Sequence, residues 1–138
     1  MTLSELLEEL KGIDPDTWDV VVRGIPLKPF CQYFTFDRCG QRAHQYPDVY
    51  LPFSQMERDV ALAWLQGCIQ QACEKRECWE VSVWWKDNKW VALIRLPGGY
   101  TNINQMFAEE SDSPAEALLA AYIAAVKEEK RSTALAEE

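Results

Sequence analysis

The feature that most constrains this chain is a pair of strand patterns facing each other across Asp87-Asn88. Before the pair, Trp79, Val81, Val83 and Trp85 alternate with Glu80, Ser82 and Trp84; after it, Trp90 to Leu96 is almost continuously apolar. Period-two alternation marks a strand, and Asp and Asn tolerate the positive φ that a two-residue hairpin turn demands. A hairpin commits this part of the chain to an antiparallel sheet. One alternating strand beside one apolar strand predicts that part of both sheet faces is covered. Pro97-Gly98-Gly99 turns the chain again, and Tyr100 to Phe107 is expected as a third, edge strand.

Helix signals flank this meander. Ser54 and Glu57 make a capping box that opens a helix to about Glu74, with Val60, Trp64, Cys68 and Ala72 on one face and Ala61, Leu65 and Ile69 beside it. After an acidic loop, Glu109 to Asp112, Ser113 is expected to cap a last helix with Pro114 at its first position and Glu116 completing the box. That helix should bury Leu118, Leu119, Tyr122, Ile123 and Val126 and fray beyond Arg131. At the other end, Leu3, Leu6, Leu7 and Leu10 form one apolar stripe, Thr2 and Glu5 a third box, and Gly12 a helix stop. Val20-Val21-Val22 is β-branched and predicts a strand. Pro26, Pro29, Pro47 and Pro52 forbid a long helix over 25–52, where Gln32 to Phe36 has strand composition. The expected fold is a single α+β domain over 1–138. Its core, 51–130, is helix–β-meander–helix, with helices on one or both sheet faces; 1–50 adds a helix and a loop-rich extension, and 131–138 a frayed tail.

Composition then excludes several classes. With 138 residues, 48% of them hydrophobic, the chain can bury a core and is not disordered. A net charge of −8 argues against direct binding of nucleic acid or anionic lipid. Acids stand where a secretory leader carries lysine or arginine, and no apolar run approaches the ~18 residues of a membrane helix. A cytoplasmic protein with reduced cysteines is the expectation.

The chemistry-bearing residues give no enzyme. Cys31, Cys39 and His44 are spaced by seven and four intervening residues and Cys68, Cys73 and Cys78 by four each, whereas structural zinc wants closely paired ligands, typically two to four residues apart, twice over. Cys68 and Cys73 diverge by ~140° around a helix. His44 is the only histidine, so a Cys39–His44 nucleophile pair in residues 25–50 is the sole remaining enzymatic arrangement. Gly98-Gly99 lies between strands and not before a helix, so it does not cradle phosphate. No metal and no cofactor are expected.

Two surface features remain. Trp79, Trp85 and Trp90 fit core positions; Trp84 faces away from Trp79 and Trp85, so it is either core under a second layer or an exposed anchor for a partner. Charge is concentrated at the ends: residues 1–19 and 109–138 each carry a net −5, and the middle +2. Glu5, Glu8, Glu9, Asp14 and Asp16, with Glu109, Glu110 and Asp112, are the candidate contacts for a basic partner.

Three stretches carry a resemblance: Pro52-Phe53-Ser54 with Asp59 to Trp64, then Trp79-Glu80-Val81, then Ser113 to Ala121. Together, over residues 51–128, they resemble the phage ABA-sandwich domain family, small phage and prophage proteins with helix layers on either side of a sheet. The aspartate of the first stretch comes later after the proline and serine than the family pattern has it. The resemblance implies a non-catalytic accessory protein of a bacterial host's cytoplasm that acts by protein–protein binding. Joined to the acidic ends, it suggests an inhibitor of a host defence complex (an anti-CRISPR-like DNA mimic occupying a nuclease's basic groove). The alternatives are a phage structural or assembly component, and an enzyme sited in residues 25–50.

Overall fold

The computed structural model describes residues 2–23, 55–98 and 102–137. These form four helices and a three-stranded antiparallel sheet, an α+β fold: α1 (Leu3–Ile13), α2 (Pro15–Arg23), α3 (Gln55–Glu74), β1 (Glu80–Lys86), β2 (Lys89–Arg95), β3 (Met106–Ser111) and α4 (Pro114–Glu137). They fall into two compact units, residues 1–68 and 69–138, with the boundary inside α3.

In the first unit, the leucine stripe of α1 is buried at all four positions, and Glu5 N–H donates to the Thr2 hydroxyl at 3.2 Å. Gly12 does not stop the helix. α1 runs on to Ile13, and Asp14 closes it by donating its N–H to Leu10 O at 2.8 Å. Asp14 also caps α2, accepting from Thr17 N–H at 3.3 Å and from the Thr17 hydroxyl at 2.6 Å. With Pro15 at its first position, where a missing N–H costs nothing, α2 replaces the strand expected at Val20 to Val22. Trp18 and Val21, three residues apart, are buried, and α2 packs on α1. β-branched residues lose only about 0.5 kcal/mol each in a helix, which this packing outweighs. From α3, the Trp64 indole N–H donates to Val21 O at 3.1 Å, in the last turn of α2. Cys68, Ala72, Leu65 and Ile69 are buried as expected, whereas Trp64 is 39% exposed.

In the second unit the strand order is β1-β2-β3, all antiparallel. Asp87 (φ 52°) and Asn88 (φ 66°) make the expected tight turn. β3 is displaced from its expected place. Ile103–Gln105 forms a 3₁₀ turn capped by Asn102, and pairing begins at Met106, opposite Arg95, ending with Ser111 opposite Trp90. The acidic stretch Glu109-Glu110 therefore lies in a strand and not a loop.

α4 packs on β2 and β3. Ala92 and Ile94 of β2 are fully buried, and so are Leu118, Leu119 and Tyr122 of α4. The box at its start is rearranged: Glu116 N–H donates to the Ser113 hydroxyl at 3.2 Å, while the Glu116 carboxylate accepts from the hydroxyls of both Ser111 and Ser113 at 3.1 Å. Its end is not frayed in the structure; the helix continues to Glu137.

These packing arrangements set two unlike stability costs. Leu119→Ala removes a fully buried side chain and should cost ~2–5 kcal/mol. Trp64→Phe keeps most of the ring but loses the bond to Val21 O, and should cost about 1 kcal/mol. Urea denaturation of both variants beside the parent measures the difference.

Candidate functional site

The candidate contact residues come from two kinds of local structure. On α1, burial of Leu3, Leu6, Leu7 and Leu10 forces the residues between them outward. Glu5 and Glu8 are exposed, and Glu9 is half-buried and already engaged by a partner in the chain. Asp16 is exposed in the first turn of α2, where a negative charge also suits the helix dipole. Asp14 stands apart from these. Its carboxylate is occupied by Thr17, so it shapes the α1–α2 joint first.

The second acidic group is divided by the strand that carries it. Glu109 pairs with Ala92 and Glu110 with Val91, and successive strand residues point to opposite faces. Both are exposed, but they cannot act as one patch on one face. Asp112, just beyond the strand, is exposed and lies 3.7 Å from Lys89, a surface pair of small energetic weight.

Trp84 is 38% exposed, which answers the question the alternation left open: it is a partly exposed aromatic. Its neighbour Trp85, expected in the core, is more exposed still at 55%, although its ring meets Trp90 edge-on with centroids 5.5 Å apart.

One cleft was not legible in the sequence. It has a volume of about 390 Å³ and is lined by residues including Arg76, Trp79, Leu96, Pro97, Gln105 and Glu129. Arg76 organises one wall. Its Nε donates to both carboxylate oxygens of Glu129 at 3.2 Å, and its Nη1 to Ala72 O at 3.1 Å near the end of α3. The guanidinium lies over the rings of Trp79 and Tyr122, 4.9 and 5.2 Å from their centroids. Nearby, Gln105 Nε2 donates to Glu128 at 3.3 Å. Hydrogen bonding from Arg131, foremost, holds the Glu128 carboxyl below its ordinary range. Arg76 and Glu129 are 53 residues apart, so no local pattern announces them, and the wall's charges are spent on one another.

Of the six sequence positions weighed for metal or thiol chemistry, Cys31, Cys39 and His44 lie outside the described residues. Burial pushes the Cys68 thiol up to about 11 and the Cys73 thiol up to about 12. Cys78 is exposed, at a φ of 68°. Among the described residues no three His, Cys, Asp or Glu side chains gather closely enough to hold a metal ion, and no helix is long and apolar enough to cross a membrane. Compared with protein-family models, curated proteins and solved structures, the chain matches none.

Two measurements check this geometry. Native Cys68 and Cys73 should resist alkylation at pH 8, where Cys78 reacts, as read by mass spectrometry of the peptides; both should label once the chain is unfolded. Because their folded values lie above the ordinary 9.0, the stability they contribute is complete below pH 9 and lost as pH rises towards 11–12. Arg76→Lys keeps the charge but not the planar fork. It should cost roughly 1–3 kcal/mol in a denaturant melt, the range for charge-assisted bonds.

Proposed function

We propose that this chain is a non-catalytic binding protein whose acidic helical surface occupies a basic, nucleic-acid-binding surface of a partner protein, as a phage-encoded inhibitor of a bacterial defence complex would in the host cytoplasm. The observation that supports the reading is the outward placement of Glu5 and Glu8 on α1 and Asp16 on α2, opposite a stripe of buried leucines. Helical spacing of three to four residues sets such charges ~4.5–6 Å apart along an axis. A row of that kind competes with phosphates for lysines and arginines without having to bind nucleic acid itself. The long-range field of a segment with net −5 also speeds encounter with a positive partner. The cleft beside Arg76 has no part in this reading, in which Arg76 and Glu129 bind each other.

Glu109, Glu110 and Asp112 contribute less, since they face different directions. Trp84 supplies an aromatic contact outside the charged row. The alternative of a phage structural or assembly part predicts binding to virion proteins and no effect of the acidic residues.

Competition against DNA for a guide-loaded defence nuclease tests the proposal. The parent chain should displace duplex DNA, with an affinity that falls as salt rises. Glu5→Lys/Glu8→Lys should need at least roughly tenfold more protein, the equivalent of ~1.4 kcal/mol, while melting within about 2 °C of the parent. Binding indifferent to salt and to this double reversal would overturn the acidic-surface reading.

A further inference from the structure

Among the described residues β1 is paired on one side only, by β2. α4 lies over β2 and β3 and reaches β1 least. The effect on exposure is steep: Ala92 and Ile94 of β2 are fully buried, whereas Trp85, on that same face, is 55% exposed and Trp84, on the other, 38%. One outer strand thus sends two adjacent tryptophans into water from opposite faces. An outer strand is a row of unpaired N–H and C=O groups, a template for a further strand, and folded chains usually interrupt it with proline, a bulge or a mid-strand charge. β1 has none of these. Its pairing with β2 is continuous from Glu80↔Arg95 to Lys86↔Lys89, and its charges stand only at its two ends.

The order of side chains in β1 identifies the strand that fits. Laid antiparallel on itself about Val83, Glu-Val-Ser-Val-Trp-Trp-Lys sets Glu80 against Lys86, Val81 against Trp85, Ser82 against Trp84, and Val83 against Val83. Two-fold symmetry makes each charged and aromatic pair occur twice. Opposite charges and aromatic–β-branched pairs are the favourable cross-strand neighbours. A slip of one residue in either direction sets Glu80 against Trp85 or against Asp87. A slip of two sets it against Trp84 or Asn88. A second observation favours the same register. Within its own sheet Lys86 stands directly opposite Lys89, a like-charge pair that an incoming carboxylate at Lys86 relieves.

We propose that the occupant of this edge is a second copy of the chain: two protomers join through β1, centred on Val83, and turn two three-stranded sheets into one continuous antiparallel sheet with the tryptophans of both copies against the seam. The proposal stands apart from the acidic-surface reading, which rests on α1 and α2 and shares only Trp84 with this seam. Main-chain hydrogen bonds supply the attraction, the tryptophans the buried area, and the Glu80–Lys86 pairs the register.

Light scattering on the full chain after size-exclusion chromatography, over about 5–500 μM, a span suited to an interface of this limited size, should show the mass climbing from 15.9 kDa towards twice that value. Lys86→Glu places like charges at both ends of the seam and should weaken the dimer at least tenfold with an unchanged melt. Glu80→Lys/Lys86→Glu should restore it. Because Glu80 also meets Arg95 within its own chain at 3.1 Å, a second measurement avoids that residue. In a Cys78→Ser background, Val83→Cys should oxidise to a covalent dimer, since opposed Cα atoms in an antiparallel pair are ~4.5–5.5 Å apart, within disulfide reach. Val81→Cys in that background should not, because Trp85 stands across from it. A mass of 15.9 kDa at every concentration overturns the proposal and leaves the edge to a strand of another protein. So does a dimer indifferent to Lys86→Glu, or one that Val83→Cys fails to cross-link.

Discussion

The second unit depends on the inner face of β2. Ala92 and Ile94 are fully buried there, and β2 is the strand that pairs with both β1 and β3 while α4 lies on it. Ala92 is small, and the buried positions of α4 include Ala115, Ala117, Ala121 and Ala125. Small buried side chains let packed backbones approach closely. Taking this strand out of register by one residue would move Ala92 and Ile94 to the opposite face and bring Leu93 and Arg95 under the helix. The register of the whole sheet is therefore tied to the packing of one helix.

Several helix ends are satisfied by side chains, some from far along the chain. Asp14 closes α1 with its backbone N–H and opens α2 with its carboxylate, Trp64 donates to a carbonyl of α2, and Arg76 to one of α3 while binding Glu129 of α4. Each replaces water at a group that helical geometry leaves without a partner. Arg76 gathers the most contacts, because a guanidinium offers donors in its plane and an aromatic-stacking surface on its faces. It lies over both Trp79 and Tyr122, whose own rings meet edge-on with centroids 6.2 Å apart.

Charge placement follows from the same packing. The leucines of α1 claim one side of the helix, which leaves its glutamates no position but the outside. On β3 the alternation of the strand divides Glu109 from Glu110 in the same impersonal way. One acidic segment is therefore concentrated and the other dispersed, although each carries a net −5 over its stretch of sequence. This difference is why the proposed function rests on α1 and α2 more than on the flank of α4.

The features legible in the sequence were those governed by neighbours a few residues away. The Asp87-Asn88 turn needs two residues that accept positive φ; α1 needs a stripe at helical spacing and a hydroxyl at its start; α4 needs Ser113, Pro114 and Glu116 in order. Each is a local contest between a side chain and the nearest backbone, and each formed where expected. Tertiary structure decided the rest. Val20 to Val22 became helical because Trp18 and Val21 had α1 to pack on, an interaction larger than their strand preference. β3 starts at Met106, opposite Arg95, directly after the 3₁₀ turn Ile103–Gln105. Trp84 and Trp85 alike are large and apolar in the sequence, and only the positions of α4 and the sheet edge determine how much water each meets. The Arg76–Glu129 wall joins groups 53 residues apart. Local signals report torsional and capping energies, which a short segment carries with it wherever it goes; burial and long-range pairing depend on which distant surface arrives, and that is a property of the folded whole.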